Sequence, residues 1–337
     1  MSNTPLLSVT MPIYNTNPTY LRQAIDSILS QTFTDFEFLI LNDSPQNTEL
    51  DKIVAGYTDP RIRYFKNNKS LGIADGHNFL LDQACGKYIA LMDHDDISTP
   101  DRFQKQVDFM EFHPQVGICG TACRRFGKLF KNGPVSNPIE DAEIRSLLFF
   151  RCPILHPSTI IRRSVLTENH IRWDNRFISV NDRKLYFDCA PYTQLHNLPD
   201  ILYLYRISSG MTSKTQQDKI RAEQQKLRTI FLNRLGVQLT PDQTDILNNY
   251  VLKGRCRIQS EQTLIKAEQI LSLLVLTNKK THFAPDSAFQ SDCARYLVKR
   301  CKNALFYGHI NTWPVLSQTK LPVKIPFWMQ CQRLFSR

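Results

Sequence analysis

Hydrophobic residues in the first third of the chain come in short runs that alternate with segments of helical periodicity. The runs "LLSVTMPIY", "FEFLILND", "RIRYFKN" and "KYIALMD" are typical of strands. The intervening segments "NPTYLRQAIDSILSQT", "ELDKIVAGY", "IADGHNFLLDQACG" and "TPDRFQKQVDFMEFH" place apolar residues on one helical face. Regular alternation of this kind predicts an α/β fold, with a mostly parallel sheet flanked by helices.

Three residues mark the predicted ends of these helices. Asn17 is placed to cap the first helix, with Pro18 at its first position, and Thr99 precedes Pro100 in the same way. Gly86 follows the third helix and is expected to close it as a C-cap. These signals set the helix boundaries before any tertiary contact is considered.

The alternation stops after "VGICGTACRRF". Strand-like runs continue in "HPSTIIRRSV" and "DILYLYRIS", with the helical segment "NDRKLYFDCA" between them, and the chain becomes helical and basic from about Ser213. We therefore expect a first domain over residues 1–213, with halves of about 1–123 and 124–213. A mainly helical C-terminal region is expected over residues 214–337.

Composition narrows the class of protein. The 337 residues are 42% hydrophobic and 22% charged, which is ordinary for a globular protein. Nine scattered cysteines, the absence of a signal peptide and the lack of an 18-residue apolar run predict a reduced, cytoplasmic protein. The net charge of +11 predicts an anionic partner: nucleic acid, a membrane surface or a phosphorylated substrate.

Carboxylates gather where the predicted strands end. Asp43 follows the second strand, and Asp93, Asp95 and Asp96 follow the fourth in "LMDHDDIS". Ligands bind at the carboxyl ends of strands in such sheets, and grouped carboxylates suit Mg²⁺ or Mn²⁺ with open positions for phosphate oxygens. The alternative is a surface turn of solvated aspartates.

Several familiar phosphate and metal sites do not fit. The chain contains neither GxGxxG nor GxxxxGK[ST], so the usual dinucleotide and P-loop cradles are missing. An EF-hand starting at Asp93 would need Gly and Glu where Ser98 and Gln104 stand. Cys119 and Cys123 form an isolated CxxxC, which favours buried strand residues over a zinc site.

Four segments in fixed order carry the most specific motif signal. They are "SVTMPIYN", "AIDSILSQTFTDFEFLILND", "NNKSLGIADGHNFLLDQACGKYIALMDHDD" and "HPSTIIRRSV", and the match continues through "NDRKLYFDCAPYTQLHNLPDILYLYR". In this combination the chain resembles the family 2 glycosyltransferases with the Rossmann-like GT-A fold, over roughly residues 6–213. It is most similar to bacterial enzymes that add single sugars to lipopolysaccharide or capsule.

The resemblance implies roles for the strand-end residues. Asp43 would hold the uracil edge, Asp93 would meet the ribose or diphosphate, and Asp95 would ligate Mn²⁺ or Mg²⁺. Asp182 would be the general base that takes the proton of the acceptor hydroxyl. The remaining donor-site residues implied by the resemblance are Pro12, Tyr14, Asn15, Asn67 and Gly72.

His156 is a weaker candidate. It precedes "PST" just before an apolar strand and could face the acceptor. A hydrogen-bonded histidine at a strand start explains the same pattern.

The chain departs from the family pattern at two places. Asn181 stands where the family usually has Glu before the catalytic Asp, and Ser208 where it often has His two residues after Tyr-Arg. Lys214 is a possible substitute for that His. The QxxRW signature of processive synthases is absent, which favours transfer of a single sugar.

The resulting prediction is an inverting transfer of one hexose or N-acetylhexosamine from a UDP-sugar to a hydroxyl of a glycan or lipid-linked glycan. The alternatives are a nucleotidyltransferase and a basic nucleic-acid-binding protein, and we expect no nucleic-acid partner. Basic and aromatic residues mix in "RYLVKRCKNALF" and "VKIPFWMQCQRLFSR". That mixture predicts peripheral attachment to the anionic cytoplasmic face of the inner membrane.

Overall fold

The computed structural model describes residues 4–127, 133–207, 217–252, 258, 260–308 and 310–325. The chain divides into two compact units, one of residues 1–144 and 152–224 and one of residues 145–151 and 225–337. The predicted boundary after residue 213 falls outside the described residues. The sequence did not indicate that residues 145–151 group with the C-terminal unit.

The first unit is built on a single sheet, which has nine strands within the described residues. Their bounds are β1 Leu7–Ile13, β2 Phe36–Asn42, β3 Ile62–Lys66, β4 Tyr88–Leu91, β5 Ile97–Ser98, β6 Val116–Gly127, β7 Gly133–Val135, β8 Ile160–Arg162 and β9 Gln194–Ile207. The order is β3-β2-β1-β4-β8-β6-β9-β5, with β7 beside β6. The first four strands run parallel, β6 and β9 pair in parallel, and β8 is antiparallel to both of its neighbours.

The central strands are apolar because helices cover both faces of the sheet. Every residue of β2 is buried, and six of the seven residues of β1 are buried. A strand covered on both faces has no solvent side, so its sequence reads as a continuous apolar run. This confirms the mostly parallel α/β sheet predicted from "LLSVTMPIY" and "FEFLILND".

Short helices connect the strands of the first unit. They are α1 Pro18–Leu29, α2 Thr48–Ala55, α3 Ile73–Gln83, α4 Arg102–Phe112, α5 Asp141–Leu148, α6 Arg163–Glu168 and α7 Asn181–Cys189, with a 3₁₀ turn at His156–Ser158. The second half of α5, from Arg145 on, belongs to the second unit. The predicted cap of α1 is confirmed, since Asn17 Oδ1 accepts from the backbone N–H groups of Thr19 and Tyr20 at 2.9 and 3.3 Å.

Two predicted helix ends are wrong. Helix α4 begins at Arg102 with Asp101 as its N-cap, and the Thr99 hydroxyl instead donates to Asp101 Oδ1 at 2.8 Å. Helix α3 ends at Gln83 with Ala84 as its C-cap, so Gly86 does not close it. Gly86 is required for another reason: a Cβ atom there would lie 2.6 Å from the backbone nitrogen of Ser8 in β1.

The second unit is mainly helical. Its helices are α8 Gln217–Arg234, which begins in the first unit, α9 Pro241–Ile246 with a π-helical turn at Leu247–Val251, α10 Glu261–Thr281, α11 Asp286–Gly308 and α12 Trp313–Gln318. Phe149 and Phe150 pack against aromatic rings of these helices and of the loop at Phe283, with ring centroids 4.3–6.4 Å apart. That packing explains why residues 145–151 belong to this unit.

Candidate active site

The acidic turn after β4 brings its carboxylates together at one edge of the sheet. Oxygen atoms of Asp93, Asp95 and Asp96 all lie within 4.8 Å of one another. The turn leads into β5, which pairs antiparallel with β9 through Ile97 and Ser98. Asp96 is fully buried and the other two are partly buried, so this is not a turn of solvated aspartates.

Burial and mutual repulsion dominate the electrostatics of this turn. The pKa of Asp93 is raised to about 7, chiefly by burial and then by the charges of Asp95 and Asp182. The pKa of Asp96 lies well above its usual value, first through burial and then through the charges of Asp93 and Asp95. Burial and neighbouring negative charges make it costly to ionise these carboxylates together. A bound cation would offset that cost and stabilise the ionised forms.

Arg206, near the end of β9, binds the backbone of the acidic turn. Its Nε donates to the backbone oxygen of Asp95 at 2.5 Å, and its Nη2 donates to Gln23 Oε1 at 2.7 Å. The guanidinium carbon lies 4.0 Å from the ring centroid of Tyr20 and 4.4 Å from that of Phe126. The aromatic rings and the two hydrogen bonds fix the arginine, and the arginine fixes the backbone at Asp95.

A second buried arginine, Arg102, binds residues on both sides of the acidic turn. Arg102 Nη2 donates to the backbone oxygen of Leu91 at 2.9 Å, and Nη1 donates to Ser98 Oγ at the same distance. These bonds tie the residue before the turn to the residue after it. The positive charge of Arg102 also opposes the rise in the pKa of Asp93.

Asp182, the predicted general base, lies in the first turn of α7, and its charge acts on Asp93. Its Oδ1 accepts from the backbone N–H of Arg183 at 2.6 Å. Burial raises the pKa of Asp182 despite that hydrogen bond and despite its position in the first turn of the helix.

Asp43 organises the predicted donor loop. Its Oδ1 accepts from Asn67 Nδ2 at 3.0 Å and from the Leu71 N–H at 2.7 Å. Its Oδ2 accepts from Ser70 Oγ at 2.7 Å and from the Gly72 N–H at 2.9 Å. A carboxylate has about four acceptor positions, so a uracil contact at Asp43 requires one loop donor to leave.

The other predicted donor residues lie at the carboxyl end of β1. Pro12 pairs with Leu41 in β2, and the ring of Tyr14 is 57% exposed. Asn15 has a positive φ of 44°, and its N–H donates to Ser44 Oγ at 2.7 Å. Tyr14 therefore offers an exposed ring at the same strand ends as Asp43.

His156 lies in the turn just before β8, within a cluster of rings. Its ring centroid is 5.2 Å from that of His77 and 6.4 Å from that of Trp173. Its Nδ1 lies 3.3 Å from Tyr186 Oη. Burial, followed by the nearby His77, lowers its pKa well below the usual value.

The sequence did not point to the residues that hold the acidic turn in place or to those of the ring cluster around His156. Arg206 was discussed only as the Arg of a motif, and Arg102, His77 and Trp173 were not considered. An arginine inside an apolar strand run, as in "ILYLYRI", is the signal that could have indicated the first. Ser208 and Lys214 lie outside the described residues.

Comparisons with known proteins agree on one family. Residues 8–170 match the family model "Glycosyl transferase family 2". An uncharacterized glycosyltransferase of Methanocaldococcus jannaschii is 31% identical over 214 residues, which cover 60% of this chain and 71% of that protein. The amylovoran biosynthesis glycosyltransferase AmsE of Erwinia amylovora is 26% identical over 217 residues, or 62% of this chain and 79% of that protein.

A solved structure shares the fold. The crystal structure of S. aureus TarS residues 1–349 in complex with UDP-GlcNAc superimposes with a TM-score of 0.58. The two are 15% identical, and the match covers 93% of this chain and 92% of that chain. At this identity the likeness establishes the fold alone, and it confirms the GT-A architecture expected from the resemblance.

Proposed function

The chain belongs to glycosyl transferase family 2, and from that premise we propose that it moves one sugar from a UDP-sugar to a glycan hydroxyl with inversion. The product would be a bacterial surface polysaccharide such as lipopolysaccharide or capsule. The observation that carries this proposal is the group of Asp93, Asp95 and Asp96 within 4.8 Å, which lies close enough to Asp182 for their charges to interact. Family membership as a glycosyltransferase sets aside the nucleotidyltransferase and nucleic-acid-binding alternatives.

The polysaccharide and the donor are supported by what the matched proteins do. AmsE is named for amylovoran biosynthesis, and the TarS structure contains UDP-GlcNAc. Donors with glucose, galactose, N-acetylglucosamine or N-acetylgalactosamine all suit the proposal. A glycan or a lipid-linked glycan would be the acceptor.

The acidic turn fits a divalent cation such as Mn²⁺ or Mg²⁺. Its ligand set is all oxygen, and burial with mutual repulsion raises the pKa of Asp93 and Asp96, which a cation would reverse. We assign Asp95 as the protein ligand and Asp93 to the ribose or diphosphate. When bound, the cation would neutralise the charge that grows on the diphosphate as UDP leaves.

Asp182 would take the proton of the acceptor hydroxyl as the new bond forms. A hydroxyl is a poor nucleophile until its proton is removed, and a carboxylate with a raised pKa is a better base than an exposed one. Attack on the face opposite UDP would give a β-linked product from an α-linked donor. Residue 181 is Asn rather than Glu, so Asp182 is the one acidic side chain of the Asn181–Asp182 pair.

The uridine would lie at the carboxyl ends of β1 and β2. The exposed ring of Tyr14, together with Pro12 and Asn15, would line the pocket. The loop that Asp43 holds through Asn67 and Gly72 would form its other side. Uracil could reach Asp43 only in exchange for one of these loop contacts.

We also propose that the C-terminal residues attach the protein to the cytoplasmic face of the inner membrane. Residues 225–337 contain 17 Lys and Arg against 6 Asp and Glu, whereas residues 1–224 contain 25 of each. The whole net charge of +11 therefore lies in the C-terminal third. Among the helices of the described segments, none has the length and apolar character needed to cross a membrane.

A donor panel tests the proposed reaction. Purified protein is mixed with each of the four UDP-hexoses above, Mn²⁺ and lipid-linked or oligosaccharide acceptors, and released UDP is measured. We expect one donor to be turned over in preference to the rest. Binding of UDP alone, followed by calorimetry, shows whether the nucleotide site exists even where the right acceptor is missing.

A further inference from the structure

Four side chains form a ring cluster beside the proposed general base, with His77, Trp173 and Tyr186 buried and His156 partly buried. His77 of α3 stacks on Trp173, with centroids 5.0 Å apart and planes at 19°, and His156 meets His77 edge-on at 5.2 Å. The cluster joins α7 through Tyr186, whose hydroxyl lies 3.3 Å from His156 Nδ1 and 2.8 Å from Thr159 Oγ1. Tyr186 follows Asp182 by one helical turn, so the cluster and the base share one helix face.

Three nitrogen atoms of this cluster are buried without a partner. Within the described residues, His77 Nδ1, His156 Nε2 and Trp173 Nε1 have no hydrogen-bond partner. His77 is 4% exposed and Trp173 is 3% exposed. Buried polar atoms in native proteins are nearly always hydrogen-bonded, so three orphans in one cluster point to a ligand that completes them.

The backbone around the cluster is rigidly held. Asn78 Nδ2 donates to the backbone oxygen of Trp173 at 2.9 Å, and Asn78 Oδ1 accepts from the Trp173 N–H at 3.0 Å. This pair of bonds fixes Trp173 to α3, next to His77.

The cluster is chemically suited to an uncharged ligand. Burial lowers the pKa of His77 to about 4, and it lowers that of His156 well below its ordinary value, so both rings are neutral at pH 7. A neutral imidazole presents one donor and one acceptor, while the indole N–H only donates. A hydroxyl group both donates and accepts, and it brings no charge into the buried site.

We propose that His77, His156 and Trp173 form a subsite for the hydroxyl groups of a neutral sugar ring, and so help to decide which sugar is used. The proposal rests on the proposed function, because a sugar reaching this cluster must lie beside Asp182. The ring could belong to the donor or to the acceptor, since both carry the same hydroxyl chemistry.

The test replaces single imidazole rings by phenylalanine, which keeps a planar ring at the position and removes the nitrogens. The variants are His77→Phe and His156→Phe, with His113→Phe as a matched control, since His113 stacks on Phe109 outside the cluster at 4.1 Å. Calorimetry with Mn²⁺ measures the affinity for UDP and for UDP-glucose, UDP-galactose, UDP-GlcNAc and UDP-GalNAc. Octyl β-galactoside and octyl β-N-acetylglucosaminide serve as acceptor probes for KM.

We expect UDP to bind each cluster variant within twofold of wild type. Either the extra affinity of the preferred UDP-sugar over UDP falls by about tenfold, or KM for the acceptor probe rises by about tenfold, the size of one or two lost hydrogen bonds. The first result assigns the subsite to the donor and the second to the acceptor. The melting temperature of His77→Phe should stay level or rise, because an apolar ring removes an orphaned polar atom. His156→Phe also loses the contact between Nδ1 and Tyr186 Oη and should melt slightly lower.

Two results would overturn the proposal. One is unchanged affinity for every UDP-sugar and unchanged acceptor KM in both variants. The other is a lower melting temperature together with an equal loss of UDP affinity, which is the behaviour of a purely structural cluster. Failure of wild-type protein to bind UDP would instead count against the proposed function, and the two failures are therefore distinguishable.

Discussion

The backbone N–H of Arg206 donates a hydrogen bond to Asp96 Oδ1 at 2.7 Å, across 110 positions of sequence. The same residue reaches Asp95 with its side chain, so one position of β9 fixes both ends of the Asp95–Asp96 pair. This contact links the last strand of the sheet to the turn that would hold the cation. The geometry of the proposed ligand set thus depends on Arg206, which is not one of its carboxylates.

Arg206→Ala should weaken cation binding without removing a ligand. The backbone bond to Asp96 survives, but the bonds to Asp95 and Gln23 and the contacts with two aromatic rings are lost. Loss of such a supporting residue typically costs 10- to 100-fold in metal affinity. The Mn²⁺ concentration that half-saturates UDP binding measures this, with Arg206→Lys as partial rescue and the exposed Arg124→Ala as control. An unchanged Mn²⁺ requirement in Arg206→Ala would remove this role.

Asp95→Ala should abolish sugar transfer and leave the fold intact. The carboxylate is the proposed cation ligand, and its removal relieves the charge that helps to raise the pKa of Asp93 and Asp96. We expect no fall in melting temperature without metal, and the exposed Asp108→Ala serves as control. Full activity of the wild-type protein after EDTA treatment would show that no cation is needed.

Asp182→Asn should raise stability at neutral pH. Burial lifts the folded pKa of Asp182 above 3.8, so keeping the carboxylate ionised costs folding free energy at any pH above the folded value. That penalty shrinks as the pH falls through the folded pKa and is absent below 3.8. Melting temperatures of wild type and variant should therefore differ at pH 7 and converge near pH 3. A variant less stable than wild type at pH 7 would mean that the carboxylate is net stabilising.

The basic C-terminal region should bind anionic vesicles. Deleting residues 321–337, or changing the exposed Lys279 and Lys280 to Glu, should lower co-sedimentation with phosphatidylserine-containing liposomes. Each basic residue near such a surface contributes about 1 kcal/mol. Lys52→Glu, exposed on α2, is the charge-matched control, and pure phosphatidylcholine vesicles are the lipid control. Equal binding by full-length and truncated protein would contradict membrane attachment through this region.

Local patterns were sufficient for the sheet and its edge. The buried strands follow from continuous apolar runs, and the meeting of Asp43 with the Asp93–Asp96 turn at one edge follows from parallel strands. Asn17 could be recognised because a cap acts within three residues of sequence. Asp93, Asp95 and Asp96 are likewise close in sequence, and the structure confirms that their carboxylates lie together.

What could not be predicted depends on contacts between distant segments. Gly86 looked like a helix cap, but it is constrained by the backbone of Ser8, 78 positions earlier. The raised pKa of Asp182 reflects burial, which no local pattern reports, and a helix N-terminus pointed in the opposite direction. The grouping of His77 with Trp173 joins α3 to a loop almost 100 positions away.

The rate of UDP-sugar turnover by Asp182→Asn, with the anomeric configuration of the product by NMR, tests the central claim most directly. Asparagine keeps the shape of the side chain but cannot take the acceptor proton. The account predicts that kcat falls by roughly 10² to 10⁴, with UDP-sugar affinity nearly unchanged and a β-linked wild-type product. Activity within a few-fold of wild type in Asp182→Asn, or an α-linked product from the wild-type protein, would contradict it.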